Sequence, residues 1–502
     1  MNPHPNPPRE RGGSSSRTIH NPQSTIRNRK VAFGDFQTPP ELAREVCRLL
    51  IDIGIKPRSF IEPTCGTGSF LIAAAETFPH AGGIGVEINP EYVSRANGSV
   101  AVANLRDRIE ICEGDFFTED WEKRIRAFPT PVLILGNPPW VTNSQQGQIG
   151  TVNLPKKSNF LGFGGLDALT GKSNFDISEW MLLRLLEAAQ GTNAFVAMLC
   201  KTAVARKVLL YAAKKNLSVG RSRIYRIDAQ RHFGAAVDAG LFFFETGTQS
   251  PSVDCRIFSS FADTHPAQSF GIRDGFLIAD LRAYDRSRYL TGRSPVPWRS
   301  GIKHDCTKVL ELRKENGVYR NGLDETVELE ETFLYPVLKG ADLANGRTNE
   351  IRRWLLVPQR QVGEDTRHIE SIAPLTWNYL QRNREPFSRR RSSIYKNQPP
   401  YAIFGVGPYS FAPWKVAISA LYKNRRFQAV GPYLGKPVML DDTCYFYPCR
   451  DEQEAQDLAR LLNSSEASDY FSAFIFPDAK RPITAGLLNR LDLCKLGFSR
   501  SG

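Results

Sequence analysis

The sequence predicts an α/β fold: a doubly wound domain in which short buried strands alternate with helices, followed by a second domain of mixed α/β structure. Short apolar runs recur between residues 59 and 244, separated by helix-like stretches. That alternation is typical of a parallel sheet with crossover helices. From about residue 251 the pattern changes to short strands and turns in which Tyr, Trp, Pro and Arg are interleaved.

The predicted strands follow the apolar runs and the predicted helices follow the periodic stretches between them. Strands are expected at Ser59–Ile61, Ile84–Val86, Arg108–Ile111, Pro131–Leu135, Ala194–Leu199 and Leu241–Phe244. Helices are expected at Leu71–Thr77, Pro90–Ala96 and Asp176–Ala189. The segment Val141–Lys172, rich in Gly, Asn, Ser, Lys and Gln, interrupts this rhythm. We expect a long loop there, and loops of that length are usually functional or disordered.

A chain of 502 residues is too long for one ordinary core. We expect a disordered basic tail over 1–30, a first domain over 31–250 and a second domain over 251–502. No apolar run is long enough to cross a bilayer, and the N-terminus lacks the apolar stretch of a secretory signal. The nine cysteines include no CxxC pair and the seven histidines form no HxxxH motif, so no metal site is expected and a reducing cytoplasm is favoured.

Positive charge predicts a polyanionic partner. Lysine and arginine number 65 against 52 aspartate and glutamate, a net charge of +13. A protein that is merely basic remains the alternative. The segment from Arg382 to Arg426 contains ten basic residues and only one acidic residue, Glu385, as expected of a surface that binds nucleic acid. The candidate DNA contacts within this segment are Arg389, Arg390, Arg391, Lys415, Arg425 and Arg426.

A glycine turn and two acids indicate a cofactor site. The segment Ile61–Phe70 reads as a strand end, a turn containing Gly66 and Gly68, and a helix start. Leu71 stands where a dinucleotide fingerprint has its third glycine, so NAD is disfavoured. Glu87 and Asp115 end the next two strands. Glu87 would accept hydrogen bonds from a ribose diol, and Asp115 would accept them from an adenine amine or adjacent hydroxyls. Either acid alone could be a surface residue, but together they predict an adenosyl ligand.

The tetrapeptide Asn137-Pro138-Pro139-Trp140 follows the fourth predicted strand. An adenine amine is a poor nucleophile because its lone pair is delocalised into the ring. The Asn137 side-chain oxygen and the Pro138 carbonyl could accept its two hydrogens, with the prolines fixing their positions. Trp140 would offer a flat face to a base flipped out of a duplex. The alternative is a turn that caps a strand.

On these residues the chain resembles the amino-methyltransferases that use S-adenosylmethionine, and most closely the adenine-N6 DNA methyltransferases of gamma order. The resemblance implies a Rossmann-like methyltransferase domain and a C-terminal target-recognition domain, which Tyr335–Asp342 would open. It implies double-stranded DNA as a partner. Any restriction endonuclease would be a separate chain, because no convincing nuclease site is present.

The resemblance also implies roles for individual residues. Phe33–Pro40 is similar to the first cofactor motif, in which Thr38 would contact the methionine end of the cofactor. Phe116 would pack on the cofactor adenine, and Phe233 would contact the flipped base. The positions that match the family's cofactor contacts are Thr38, Glu62, Gly66, Gly68, Glu87, Asp115, Phe116 and Asn137.

Other functions are compatible with parts of this pattern. An RNA or protein-glutamine methyltransferase of the same fold would use the same tetrapeptide. A catalytically inert DNA-recognition subunit would need a broken site, whereas every expected polar position is occupied. Cytosine-N4 enzymes usually open the tetrapeptide with serine or aspartate, so Asn137 favours adenine.

Overall fold

The computed structural model describes residues 37–140, 176–248, 250–479 and 481–499. These residues form two compact units, which divide between Ala267 and Gln268. The predicted tail 1–30, the insertion Val141–Lys172 and the residues Phe33–Phe36 of the first motif lie outside the described residues. No helix among the described residues is long and apolar enough to span a membrane.

The first unit alternates strands and helices, as predicted. Its strands are β1 (Ser59–Glu62), β2 (Gly82–Glu87), β3 (Ile109–Glu113), β4 (Val132–Gly136), β5 (Ala194–Lys201), β6 (Ser222–Ile227), β7 (Ala239–Glu245) and β8 (Cys255–Phe258). Its helices are α1 (Pro40–Asp52), α2 (Ser69–Thr77), α3 (Pro90–Val102), α4 (Trp121–Arg126), α5 (Ile177–Ala188), α6 (Thr202–Lys215) and α7 (Ala229–Phe233).

The strands of this unit form one sheet in the order β8-β6-β7-β5-β4-β1-β2-β3. Strands β1 to β5 are mutually parallel, which confirms the doubly wound sheet. The predicted strand at Leu241–Phe244 is present within β7, but it runs antiparallel to both β5 and β6. Antiparallel neighbours need only a short connection, and the short helix α7 supplies it between β6 and β7.

Local sequence explains why the helices begin where they do. Pro40 occupies the first turn of α1, and Pro90 that of α3, positions at which the missing N–H costs nothing. Asn89 caps α3 by accepting from Glu91 N at 3.0 Å. Asp176 caps α5 in the same way, accepting from Ser178 N at 3.1 Å. The predicted helices at Leu71–Thr77, Pro90–Ala96 and Asp176–Ala189 are confirmed.

Two strands of the first unit were not expected. Strand β6 has the sequence Ser-Arg-Ile-Tyr-Arg-Ile, whose arginines interrupt any apolar run. Strand β8 pairs in parallel with β6, from Ser222 opposite Cys255 to Tyr225 opposite Phe258. This pairing draws residues 251–267 into the first unit. The division between the units therefore lies after Ala267, later than the expected boundary at 250.

The second unit is a mixed α/β structure, as predicted. Its strands are β9 (Gln268–Arg273), β10 (Phe276–Ile278), β11 (Arg299–Ser300), β12 (Glu311–Glu315), β13 (Val318–Arg320), β14 (Thr326–Val327), β15 (Leu334–Leu338), β16 (Trp354–Leu356), β17 (Trp414–Ser419), β18 (Gln428–Val430), β19 (Met439–Leu440) and β20 (Cys444–Cys449). Its helices are α8 (Leu281–Ser287), α9 (Thr307–Leu310), α10 (Gly340–Ala344), α11 (Ile369–Ile372), α12 (Pro374–Arg382), α13 (Arg384–Ser388), α14 (Glu452–Leu462), α15 (Ser465–Phe474) and α16 (Ala485–Asn489).

Two sheets organise the second unit. The antiparallel sheet β11-β20-β17-β18 packs through Val416 and Ile418 against α14 and α15. The six-stranded sheet has the order β14-β13-β12-β16-β15-β19, and its β15–β19 pair is parallel. Strands β9 and β10 form an antiparallel hairpin. The segment from Tyr335 to Asp342 spans the end of β15 and the start of α10.

We expect Gly83→Ala to destabilise the first unit. A Cβ at residue 83 would lie 2.2 Å from Cδ2 of Phe60 and 2.4 Å from its carbonyl oxygen. Overpacking of this kind costs about 1–3 kcal/mol. Urea unfolding followed by circular dichroism measures the change. Gly98→Ala is the matched control: nothing lies within 4 Å of that position in α3, so alanine should stabilise by about 0.5–1 kcal/mol. A Gly83→Ala protein with the wild-type midpoint would contradict the close approach of β1 and β2.

Candidate active site

The predicted site residues of the first unit meet at one edge of its sheet. Strands β1 to β4 are parallel, so their carboxyl ends share this edge. Glu62 ends β1 and Glu87 ends β2, while Asp115 and Asn137 follow β3 and β4. The chain order reverses between β1 and β4, the position at which open α/β sheets bind ligands.

The glycine loop after β1 is braced by Glu87. Gly66 and Gly68 have φ values of +52° and +85°, which L-residues with side chains rarely adopt. Gly66 N donates to Glu87 Oε2 at 2.9 Å, and Asn89 N donates to Glu87 Oε1 at 2.9 Å. Each carboxylate oxygen keeps a further lone pair, so Glu87 is oriented by the backbone and still able to accept from a ribose diol.

Gln37 holds the same loop from a distant part of the chain. Its Oε1 accepts from Thr67 N at 3.1 Å and from Thr67 Oγ1 at 3.2 Å. A Cβ at Gly66 would lie 2.5 Å from this oxygen, so glycine is required for the contact. Thr38, the predicted cofactor contact, is the next residue and is half-buried. Gln37 is not among the predicted site residues, although it lies within the same motif as Thr38.

Glu62 is a buried acid at the centre of the edge. It is only 3 % exposed, and its Oε2 has no hydrogen-bond partner among the described residues. Burial raises the pKa of Glu62 well above its ordinary value; the backbone at Leu71 opposes this rise, and the charge of Glu87 adds to it. A buried carboxyl in such surroundings fits a cationic ligand. S-adenosylmethionine carries an ammonium and a sulfonium, so the residues present fit this cofactor.

Asp115 and Phe116 lie beyond β3. Asp115 Oδ1 accepts from Phe117 N at 2.9 Å, which fixes the turn that follows the strand. Phe116 is 4 % exposed and its ring centroid lies 5.0 Å from that of Trp121 and 6.2 Å from that of Trp180. Phe116 therefore belongs to an aromatic wall, and its predicted contact with the cofactor adenine stays a prediction.

The tetrapeptide leaves β4 directly against Glu62. Gly136 has a φ of +154°, and a Cβ there would lie 3.4 Å from Glu62 Cγ. The strand end is therefore in ordinary van der Waals contact with the acid, and the positive φ is the reason that glycine is favoured here. Asn137 follows at once and is half-buried, while Pro138 is buried. The candidate catalytic amide thus lies beside the cofactor edge of the sheet.

The side chain of Trp140 is more buried than we predicted. It is 6 % exposed, and its Nε1 donates to Leu199 O at 3.2 Å, which fixes the indole against β5. Trp140 is therefore buried, and the stacking of a flipped base on its flat face stays a prediction. Its ring meets that of Phe233 edge-on, at a centroid distance of 5.2 Å and an angle of 71°. The structure does bring these two predicted residues together, and Phe233 is the more exposed of the pair.

Lys201 and Asp176 secure the end of the tetrapeptide. Lys201 Nζ donates to Trp140 O at 3.2 Å and to Asp176 Oδ2 at 2.5 Å. Asp176 is itself buried at 6 % exposure, where the lysine compensates its charge. Neither residue is among the predicted site residues. No local motif marks them, because they come together only when β5 lies beside β4.

The sheet order, the glycine loop with its acids and the tetrapeptide define an amino-methyltransferase that depends on S-adenosylmethionine. Residues 24–205 match the family model described as N-6 DNA Methylase. The type II methyltransferase M.NspV from Nostoc sp. is 46% identical over 477 residues, which cover 95% of this chain and 98% of that protein. M.XamI from Xanthomonas campestris pv. amaranthicola is 27% identical over 32% of this chain and 29% of its own length.

A similar fold has been solved. The type IIL restriction-modification enzyme MmeI, determined in complex with DNA, matches with a TM-score of 0.50 and 14% identity, over 93% of this chain and 67% of that one. The identity and coverage of M.NspV establish the family. This chain belongs to the type II DNA methyltransferases of the adenine-N6 class, and its cofactor is S-adenosylmethionine.

The predicted DNA contacts of the second unit separate into two groups. Lys415 is 1 % exposed and donates to Ala412 O at 2.6 Å, so the prediction that it contacts DNA is wrong. Arg390 lies over the Tyr395 ring, 3.7 Å from its centroid, and donates to three backbone carbonyls. Arg425 is half-buried. The three residues whose side chains are exposed are Arg389, Arg391 and Arg426.

Burial of Lys415 predicts an unusual pH dependence of stability. Burial lowers its pKa from 10.5 to about 7. Above about pH 7 the unfolded lysine holds a proton that the folded one has released. Lys415 should therefore contribute a rise in the free energy of unfolding with pH from about 7 to 9, by up to about 1.4 kcal/mol per pH unit. Burial raises the pKa of several cysteine thiols, which opposes this rise as the unfolded thiols ionise. The lysine contribution is therefore the difference between wild type and Lys415→Met, a variant that should leave the salt dependence of DNA binding unchanged. Urea unfolding at pH 7, 8 and 9 measures that difference, with the exposed Lys308→Met as control; a difference that does not change with pH would refute a buried lysine.

Because the pKa of the buried Glu62 carboxyl is raised, we expect a proton to be released when the cofactor binds. A cation beside Glu62 lowers the raised pKa of its carboxyl. At a pH between the pKa of Glu62 in the free protein and its pKa in the complex, binding of the cofactor therefore releases a proton. Calorimetric titration with S-adenosylmethionine in two buffers of different ionisation enthalpy measures that release. Glu62→Gln should reduce it and weaken binding, while the exposed Glu76→Gln should match wild type. Equal proton release by wild type and Glu62→Gln would show that Glu62 does not pair with the cofactor.

Proposed function

We propose that this chain methylates N6 of a flipped-out adenine in duplex DNA, with Asn137 and Pro138 as the groups that act on the amine. The observation that carries this proposal is the close approach of Gly136 to Glu62, with a Cβ position 3.4 Å from Glu62 Cγ. It puts Asn137 next to the edge that would hold the cofactor.

S-adenosylmethionine supplies an electrophilic methyl group on a sulfonium. The Asn137 side-chain oxygen and the Pro138 carbonyl would each accept one hydrogen of the adenine amine. These two bonds orient the amine and draw its lone pair out of the ring. Because Pro138 and Pro139 restrict the backbone, the acceptors are held in place before the substrate arrives. Direct attack by the amine would form the N–C bond as the bond between sulfur and the methyl group breaks, leaving a thioether, and the methylated amine would then lose one proton to solvent. No covalent intermediate with the protein is needed.

The adenine would leave the duplex to reach this edge, because its amine is inaccessible within the base stack. We assign the contact with the flipped base to Phe233, with Trp140 as its support. Trp140 is anchored on Leu199 O and meets Phe233 edge-on at 5.2 Å. An edge-to-face pair of this kind holds a ring in one orientation.

We also propose that a separate restriction endonuclease acts with this chain in the cytoplasm. Support comes from the relatives, since M.NspV is named a type II methyltransferase and MmeI a restriction-modification enzyme. The free state of all nine cysteines is compatible with a reducing compartment. Double-stranded DNA would contact the second unit, where Arg391 and Arg426 are exposed.

Asn137→Ala should lower kcat on the order of 10²-fold or more, because it removes an acceptor that acts on the reacting amine. Transfer of labelled methyl to duplex DNA measures kcat. Long-read sequencing of DNA from expressing cells should show modified adenine in one sequence context with wild type and none with Asn137→Ala. Asn97→Ala, an exposed residue of α3, is the control and should retain wild-type activity. Full methylation by Asn137→Ala, or modification of RNA alone by wild type, would overturn the proposed function.

A further inference from the structure

The loop between β17 and β18 exposes apolar side chains at its start. Leu421 is 41 % exposed and Tyr422 is 42 % exposed. Within the described part of the chain, no other two large hydrophobic residues are both exposed and adjacent in sequence. Burial of such side chains is favourable, so a neighbouring pair left in solvent indicates a surface that meets another molecule.

The same loop carries cations that no acid neutralises. The sequence Leu421–Arg426 contains Lys423, Arg425 and Arg426 and no acidic residue. Lys423 and Arg426 are exposed and form no ion pair with any residue that the structure describes. Arg389, by contrast, pairs with Glu385. An exposed cation without a partner keeps its full charge for a phosphate.

Both ends of the loop are anchored. Ala420 is buried and its N donates to Thr443 O at 2.8 Å. Phe427 is 2 % exposed, and its N and O bond to the side chain of Asn463 at 3.0 and 2.9 Å. Arg425 Nη1 donates to Ser472 Oγ at 3.0 Å, on α15. A loop fixed in this way presents its tip at little entropic cost.

We propose that the loop Leu421–Arg426 recognises the base sequence of the DNA substrate. Leu421 and Tyr422 contact base edges in the major groove, while Lys423 and Arg426 hold the flanking phosphates. Phosphate contacts position a protein on any duplex, whereas apolar contact with base edges, including the thymine methyl, discriminates among sequences. The combination of two exposed apolar side chains with unpaired cations fits DNA better than a neutral protein surface. This inference rests on the proposed function of the chain.

The test compares binding to two duplexes in the presence of S-adenosylmethionine. One carries the sequence context that wild type methylates, and the other has the same composition in scrambled order. Leu421→Ala and Tyr422→Ala should each weaken binding to the first duplex on the order of 10-fold or more, and to the scrambled duplex by less than about 2-fold. Lys423→Gln should weaken both similarly and lower the salt slope by about one.

Matched variants separate this role from damage to the fold. Leu375→Ala removes a side chain of α12 that is 50 % exposed, and Arg460→Gln removes an exposed charge of α14; both should bind as wild type does. Tyr422→Phe should retain discrimination, because the ring face makes the contact. All variants should bind S-adenosylmethionine with wild-type affinity and melt at the wild-type temperature.

Two results would overturn the inference while leaving the proposed function intact. In one, Leu421→Ala and Tyr422→Ala bind both duplexes as wild type does, which would show that the exposed pair does not contact the DNA. In the other, they weaken both duplexes equally, which would make the loop a general contact without sequence preference. A wild-type chain that modifies no DNA in any context would overturn the proposed function, and this inference with it.

Discussion

The contact between Gly136 and Glu62 is the constraint on which the rest of the site depends. A Cβ at residue 136 would lie in ordinary van der Waals contact with Glu62 Cγ, 3.4 Å away, so the end of β4 lies beside the end of β1. The φ of +154° at Gly136 is one that residues with side chains rarely adopt, and the tetrapeptide begins directly after it. Glu62 is buried, its pKa is raised, and its Oε2 has no hydrogen-bond partner among the described residues. Methyl transfer between two bound molecules requires that their sites be adjacent, and this close approach makes them so.

Hydrogen bonds from distant residues then hold the two halves of the site rigid. Glu87 and Gln37 bind the glycine loop from two sides, through Gly66 N and Thr67 N. Lys201 holds the other half by donating to Trp140 O. Each of these side chains acts on a backbone group, so the loops are fixed before any ligand binds. Preorganisation of this kind reduces the reorganisation that the reaction would otherwise require.

The cationic side chains of the second unit include buried or half-buried residues that bond to the backbone and exposed residues that are free to bind DNA. Lys415 and Arg390 satisfy backbone carbonyls inside the unit, and neither contributes a free charge to its surface. Lys423 and Arg426 are exposed and unpaired within the described residues. The total of +13 therefore indicates a polyanionic partner without indicating which residues meet it. Only the surroundings of each cation separate a structural role from one in binding DNA.

The sequence by itself determined the fold class, most strands of the first unit, the glycine loop and the tetrapeptide. These features are local: a strand buried on both faces is apolar throughout, as in β4, and a turn with a φ of +85° strongly favours glycine, as at Gly68. Tertiary structure alone decided the direction of β7, the burial of Lys415 and of the Trp140 face, and the contributions of Gln37, Asp176 and Lys201. Each of these depends on contacts between residues far apart in the chain, and neither hydrophobic periodicity nor a short motif records such contacts. Chain folding brings those partners together, so their roles become visible only in three dimensions.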